Sequence, residues 1–262
     1  MASWNPAQYG TFLEWRTRPS RDLAQRIDLQ SAPRRIIDLG CGPGNSTAVC
    51  ADRWPSASIL GIDNSPEMIA AAQTAHQASQ FEVGDIAKWI LEAADAAAPI
   101  DLIFSCAALQ WIDDHSAVFP RLLRKLAPGG VLAVHMPAYD AVPNRLMREI
   151  AASERWRKWF PTGRAGEWRS HPLEFYYGVL AREAKWLDLW QTDYLQSMPS
   201  THAIVDWYAS TGLRPYLDQI RDDQDQRTFL DQYQARLEPF FPASESGGVP
   251  FLFRRIFIIA GV

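Results

Sequence analysis

The run Asp38-Leu39-Gly40-Cys41-Gly42-Pro43-Gly44-Asn45 sets an acid ahead of three glycines at alternate positions. It follows a short apolar run, Arg34–Leu39, and precedes a stretch with helical character, Ser46–Trp54. Glycines spaced this way let the backbone turn tightly and approach a ligand that side chains would hold off. The helix behind the turn offers free N–H groups and the positive end of its dipole, which suits a ligand with an anionic group. Asp63 ends the next apolar run about twenty residues further on, where an acid accepts hydrogen bonds from both hydroxyls of a ribose. The glycines at 40, 42 and 44 give G-x-G-x-G, whereas the dinucleotide fingerprint is G-x-G-x-x-G.

These residues need a sheet to hold them, and the pattern supplies one. Apolar runs at Arg34–Leu39, Ser58–Asp63, Gln80–Val83, Ile100–Cys106 and Val131–Met136 alternate with helical segments at Ser46–Trp54, Ser65–Gln77, Ile86–Ala94 and Ser116–Leu126. Repeated β-α-β units with right-handed crossovers predict a parallel sheet with helices on both faces. Ser65 reads as an N-cap with Pro66 at the first helical position, and Pro128-Gly129-Gly130 reads as a turn into the fifth strand. Beyond Met136 the pattern turns helical over Ala141–Lys158 and Thr201–Leu237, with breaks expected at Gly212 and Pro215. Strands are expected at Lys185–Ser197 and Phe251–Ala260. The expectation is an α/β, Rossmann-like, doubly wound seven-stranded sheet with a helical cap or insertion in the C-terminal half. Residues 1–30 would form a helical segment covering the site and 31–140 the ligand-binding core. Residues 141–262 would supply the cap, the substrate region and the last two strands.

Composition narrows the function. A net charge of −4 provides no global positive field to attract nucleic acid or an anionic membrane, so neither is an expected partner. The three cysteines, Cys41, Cys50 and Cys106, form no CxxC pair, which argues against a zinc site or a disulfide framework and for a reducing, cytoplasmic setting. No metal is expected. Met1–Gly10 lacks the apolar stretch of a signal peptide, and no apolar run approaches membrane-spanning length. Trp156, Trp159, Trp168, Trp186 and Trp190 fall in one stretch and read mainly as packing. The basic segment Arg145–Arg169 reads as a helix with a solvated face.

The strand, acid, glycines and helix together resemble motif I of the class I S-adenosylmethionine (SAM)-dependent methyltransferases. That resemblance implies SAM as cofactor and S-adenosylhomocysteine as product. Its implied contacts are Asp38, Gly40, Cys41, Gly42, Gly44, Asn45, Asp63, Asn64, Cys106 and Ala107, with Asp85 at the adenine amine and Ile86 flanking the ring. The fourth strand ends Ser105-Cys106-Ala107-Ala108-Leu109-Gln110-Trp111. It lacks the Asn/Asp-Pro-Pro-aromatic motif of amino-group methyltransferases and the Pro-Cys of cytosine C5 enzymes.

Further blocks make the resemblance more specific. They include Trp4-Asn5-Pro6, Trp54-Pro55, Gly61-Ile62-Asp63, Pro66-Glu67-Met68-Ile69-Ala70, Met136-Pro137, Leu146-Met147-Arg148-Glu149, Met198-Pro199-Ser200 and Thr211-Gly212-Leu213-Arg214-Pro215. Nearly end to end, the chain is similar to the trans-aconitate 2-methyltransferase family. The family's reaction implies esterification of one carboxylate of a small polycarboxylic acid. A carboxylate is already ionised at neutral pH, so no general base and no catalytic residue is expected. Arg forks suit carboxylates, and the candidate acceptor contacts are Tyr9, Arg16, Arg18, Gln110, Trp111, His135, Tyr139, Arg148, Trp207 and Arg214. The family usually has Asn where Cys106 stands and often Gln where His135 stands. Alternatives are transfer to another small metabolite acid, a methyltransferase acting on RNA or protein, and a SAM-binding module without turnover. A monomer or homodimer fits all of these.

Overall fold

Five runs form parallel strands, the central two, Arg35–Leu39 and Ile100–Cys106, being buried on both faces. In a computed structural model, which describes residues 12–92, 99–139, 141–163, 165, 169–245 and 247–262, these are β1 (Arg35–Leu39), β2 (Ser58–Asp63), β3 (Gln80–Val83), β4 (Ile100–Cys106) and β5 (Leu126–Pro137). All pair in parallel with their neighbours, and the seven-stranded sheet runs β3-β2-β1-β4-β5-β7-β6. β6 (Trp186–Met198) and β7 (Val249–Gly261) complete it, β7 lying antiparallel to β5 with Val131 opposite Gly261 and Pro137 opposite Arg255. The strand order reverses between β1 and β4. Their carboxyl ends therefore flank the crevice where ligands bind in sheets of this kind.

Two discontinuous compact units make up the chain. Of the described residues, one contains those from 12 to 138, 169 to 192 and 255 to 262; the other contains those from 139 to 165 and 193 to 254. In the first, helices α1 (Leu13–Arg26) and α2 (Asn45–Arg53) pack together, and α1 lies along β5. α3 (Pro66–Ala75) follows β2, with Ser65 Oγ accepting from Met68 N at 3.2 Å and Pro66 in the first turn, as the sequence leads one to expect. A large core buries Ile37, Leu39, Ile103, Leu132, Val134 and Met136. Onto them pack Ile90 of α4 (Ile86–Leu91), Phe119 of α5 (His115–Arg124) and Tyr176 of α7 (Leu173–Leu180). Each such apolar side chain contributes roughly 1.5–3 kcal/mol on burial, so this core fixes where the strand ends lie.

The second unit packs α6 (Val142–Ala151) against α10 (Asp223–Leu237), with α8 (Thr201–Ala209) and α9 (Arg214–Gln219) beside them. Trp156 is fully buried with its ring T-shaped to Phe229 at 4.9 Å, and its Nε1 donates to Gln232 at 2.8 Å. The packing role expected of it is met. Lys158 pairs with Asp225 at 2.6 Å and Arg236 with Glu149 at 3.2 Å, so the basic stretch is a solvated, ion-paired face.

Three local expectations need correction. Pro215 does not break a helix; it sits in the first turn of α9, where its missing N–H costs nothing. Pro128-Gly129-Gly130 lies within β5, where the register with β4 shifts between Ile100 and Leu102, so an irregular strand start replaces the turn. The helix expected from Ala141 to Lys158 ends at Ala151 and is followed by a single 3-10 turn, Glu154–Trp156.

Candidate active site

β1 delivers Asp38 beneath the glycine loop, and α2 carries the loop away. Asp38 is fully buried, and its Oδ2 accepts hydrogen bonds from Ser46 Oγ at 2.7 Å and Thr47 Oγ1 at 2.6 Å, both in the first turn of α2. Its Oδ1 is buried with no hydrogen-bond partner among the described residues. The side chain thus ties strand to helix under the loop rather than standing on the loop's open side. Burial pushes its pKa up to about 6, against the opposing pull of the Thr47 and Ser46 hydroxyls.

That shift has a consequence for stability. The folded carboxyl keeps its proton up to about pH 6, while the unfolded one releases it near the ordinary aspartate value of 3.8. Folding is therefore favoured by protonation. This contribution is complete below pH ~4 and is lost as pH rises through about 6, a change of about 2–3 kcal/mol. The expected result is that Asp38→Asn, melted against the native protein from pH 4 to 7, gains relative stability with rising pH. A difference in Tm that does not move across that range would refute it.

The loop itself is shaped by its glycines. Gly40 (φ 73°), Gly42 (φ 53°) and Gly44 (φ 92°) all sit in the left-handed region. A Cβ on Gly40 would stand 2.1 Å from the Cβ of Ala108, so the loop after β4 presses directly on the glycine turn. A Cβ on Gly42 would meet nothing within 4 Å, so this glycine borders open space. Cys41 is 3% exposed and turns inward against Ile69, Ala72 and Phe81, so only its backbone faces the loop. Asn45 is half-buried at the start of α2.

Asp63, at the end of β2, is half-buried. Its Oδ2 accepts from Gly42 N at 2.9 Å and its Oδ1 from Ser65 N at 3.0 Å. Each carboxylate oxygen has two lone pairs, so these two bonds leave acceptor capacity for a further donor. Burial raises its pKa, while the backbone N–H groups of Ser65, Gly42 and Asn64 pull it down. Asn64 is exposed. Asp85 is exposed and caps α4, its Oδ1 accepting from Ala87 N at 2.8 Å, with Ile86 half-buried behind it.

The end of β4 adds a strained residue. Ala107 has φ 54°, a left-handed conformation that costs a non-glycine residue energy and clusters at functional sites. Its N–H donates to His135 O at 2.9 Å and its carbonyl accepts from Gln110 Nε2 at 2.7 Å. Gln110 is buried, with Oε1 lacking a partner among the described residues, and Trp111 is half-buried. Cys106 is half-buried beside His135, its partner in the β4–β5 register. Burial holds the Cys106 thiol well above its ordinary pKa, so it is not a thiolate. His135 is 1% exposed, with Nε2 3.2 Å from Ser20 Oγ and Nδ1 without a partner among the described residues. Burial, reinforced by the nearby Arg255 charge, keeps its imidazole neutral. Arg16 on α1 is also buried. Arg18 is a surface residue within 4.0 Å of Asp22, as expected of a helix-face i,i+4 pair. Tyr9 lies outside the described residues.

The first unit therefore gathers the glycine loop, Asp63, the strained end of β4 and His135. Tyr139, Arg148, Trp207 and Arg214 belong to the other unit. There Trp207 is 3% exposed and T-shaped to Phe253 at 5.0 Å, so it packs within an aromatic cluster. Arg214 lies 3.9 Å from Asp218, Arg148 is half-buried and Tyr139 is exposed. A buried arginine that sequence reasoning passed over, Arg255, sits on β7 in the first unit.

Residues 36–130 match the family model described as a methyltransferase domain. Among solved structures, the chain is similar in fold to the YcgJ protein of Bacillus subtilis, with a TM-score of 0.59 and 13% identity over 93% of this chain and 98% of that one. It is likewise similar to a putative methyltransferase of Bacillus halodurans, with a TM-score of 0.57 and 12% identity over the same shares. With the glycine loop at the carboxyl ends of β1 and β4, the chain has the fold of the class I methyltransferases.

Curated relatives reach much further along the sequence. The trans-aconitate 2-methyltransferase of Variovorax paradoxus is 43% identical over 99% of this chain and 98% of its own length. Those of Methylobacterium radiotolerans and Escherichia coli are 44% and 42% identical over the same shares. The chain belongs to the trans-aconitate 2-methyltransferase family.

Proposed function

We propose that the protein transfers the methyl group of SAM to one carboxylate of trans-aconitate, giving the monomethyl ester and S-adenosylhomocysteine. The observation that carries this reading is the end-to-end likeness to relatives so named, at 42–44% identity. The loop geometry supports the cofactor. Asp63 has lone pairs left for ribose hydroxyls, and Gly40, Gly42 and Gly44 line a backbone cradle with open space beside Gly42. Asp38 and the inward-turned Cys41 act as positioning residues beneath it, with Asn45, Asn64, Asp85, Ile86, Cys106 and Ala107 around it. SAM supplies an electrophilic methyl on a sulfonium, which needs no metal.

The chain's own work is positioning. An acceptor carboxylate is ionised at neutral pH, so its oxygen attacks the methyl carbon without deprotonation. The new O–C bond forms as the C–S bond breaks and its electron pair stays on sulfur. Holding the reacting atoms in line and excluding water supply the acceleration. His135 and Cys106 are neutral and Gln110 is uncharged, so the end of β4 and β5 can take an anion without repelling it. Arg16, buried on α1, is the better acceptor anchor of the two N-terminal arginines, since Arg18 is solvated. Among the described residues no helix is long and apolar enough to cross a membrane. The free thiols of Cys41, Cys50 and Cys106 support a cytoplasmic setting.

The test is incubation with methyl-labelled SAM and a panel of di- and tricarboxylates that includes trans-aconitate, read by mass spectrometry. A base-labile methyl ester on a tricarboxylate is expected. Transfer only to amines or hydroxyls would overturn the assignment.

A further inference from the structure

The non-glycine residues with positive φ among the described residues are Ala107 at 54° and Asp114 at 52°, and they bracket the loop after β4. Backbone held this way costs energy and persists only where its surroundings over-determine it. Here every carbonyl from Ala107 to Gln110 is engaged. Ala107 O accepts from Gln110 Nε2 at 2.7 Å, and Ala108 O from Trp111 N at 3.1 Å. Leu109 O accepts from Ile112 N at 3.0 Å and from His115 Nε2 at 2.9 Å. Gln110 O accepts from Arg169 N at 2.8 Å. The 3-10 turn Leu109–Trp111 is thus tied both to the start of α5 and to the segment before α7.

The bond from His115 has a fixed direction. A carbonyl only accepts, so Nε2 carries the ring proton. Burial pushes the His115 pKa down to about 4, so the ring is neutral near pH 7 and Nδ1 is an acceptor. The Tyr176 hydroxyl, 2.8 Å away, therefore donates to Nδ1. Its oxygen in turn accepts from His171 N at 3.1 Å. Burial also pushes the Tyr176 pKa up, which keeps the phenol protonated. His115 is 1% exposed and Tyr176 is fully buried. Apolar side chains of similar shape would fill this space as well, because packing alone needs no polar atoms. A buried polar chain with every bond satisfied instead specifies one arrangement.

What the chain arranges is the turn that carries Gln110. This side chain is buried near the carboxyl end of β4, and its Oε1 has no partner among the described residues. We propose that His115 and Tyr176 are positioning residues for methyl transfer, holding through Leu109 the strained turn that sets Gln110 against the methyl acceptor. This rests on the carboxyl-methylation reading above and adds residues that act on the acceptor only through Gln110. The glycine loop has its own support, since Gly40 N and Cys41 N donate to Ile62 O of β2 at 2.7 and 3.1 Å.

The experiment is a double-mutant cycle. It compares the native protein, His115→Leu, Gln110→Ala and the variant carrying both, with His115→Gln and Tyr176→Phe alongside. His115→Leu should lower kcat/KM for trans-aconitate about 10- to 100-fold, the scale of a misplaced reacting group. S-Adenosylhomocysteine affinity, measured by calorimetry, should stay within about threefold. Gln110→Ala should lower kcat/KM similarly. Adding His115→Leu to it should cost less than about threefold more, because the two residues act as a unit. His115→Gln, whose amide still offers a donor and an acceptor, should fall between native and His115→Leu. If His115→Leu does not fold, Tyr176→Phe, which keeps the ring and removes one hydroxyl, carries the same cycle with a smaller loss.

A folded His115→Leu or Tyr176→Phe with native kcat/KM would overturn the proposal, as would a Gln110→Ala variant as active as the native protein. So would losses that multiply in full with that of Gln110→Ala, or that fall equally on S-adenosylhomocysteine affinity, since either would mark His115 as packing alone. All of these leave the carboxyl-methylation reading standing. A native protein that methylates no carboxylic acid would instead defeat the parent reading, and this proposal with it.

Discussion

Asp63→Ala should weaken binding of S-adenosylhomocysteine by two to three orders of magnitude, roughly 3–4 kcal/mol. The magnitude follows from what the carboxylate has left to give. Gly42 N and Ser65 N take one acceptor position on each oxygen, and on the reading proposed above the remaining acceptor capacity serves the ribose hydroxyls. Hydrogen bonds to a charged group contribute about 1.5–3 kcal/mol each. Alanine also removes the tie between Asp63 and Gly42 that steadies the loop, so the loss includes part of its order. A calorimetric titration measures it directly. Affinity within threefold of the native value would remove Asp63 from the ribose and leave it a loop brace.

Gly40→Val should be as damaging, taking methyl transfer below about one per cent of the native rate and lowering Tm. Two effects combine. The backbone at Gly40 has φ 73°, which a β-branched residue adopts only under strain. The added Cβ would also sit 2.1 Å from the Ala108 Cβ, so the loop after β4 must move. Gly42→Ala is the informative contrast. It has the same kind of backbone but nothing within 4 Å, so its melting should change by about 1 kcal/mol while the side chain obstructs the open space. If Gly40→Val melted and turned over like the native protein, the contact between the two loops would have no functional weight.

Much of this architecture could be read from residue order, because its signals are local. Ile100–Cys106 and Ser58–Asp63 are apolar runs of strand length, and Ser65-Pro66 announces a helix start. The glycine loop was legible because φ near +50 to +90° at three alternate positions leaves few residues but glycine. The side-chain directions were not legible. Asp38 looks like a ligand contact in sequence, yet its oxygen is claimed by Ser46 and Thr47, whose hydroxyls point inward only once α2 is placed. Trp207 reads in sequence as a candidate acceptor contact, but Phe251 and Phe253 arrive from a strand far along the chain and pack against it. Arg255 was hidden for a related reason. In Phe-Arg-Arg-Ile-Phe two adjacent arginines look equally solvated, and only the β5–β7 pairing decides between them. Arg254 turns to Asp193 at 2.7 Å, while Arg255 turns to the face of His135.

The order of the strands also bears on how copies of this chain meet one another. The outermost strands of a sheet expose unsatisfied backbone groups that can template further pairing and lead to aggregates. At one border stands β3, only four residues long and carrying Glu82 outward. At the other stands β6, long enough to recruit a foreign strand but studded with Asp188 and Asp193, each already clasped by an arginine, Arg26 and Arg254. Brevity guards one flank and charge the other. Strand-to-strand polymerisation is disfavoured at both, so a stable dimer of this protein would have to be built from helix faces or loops.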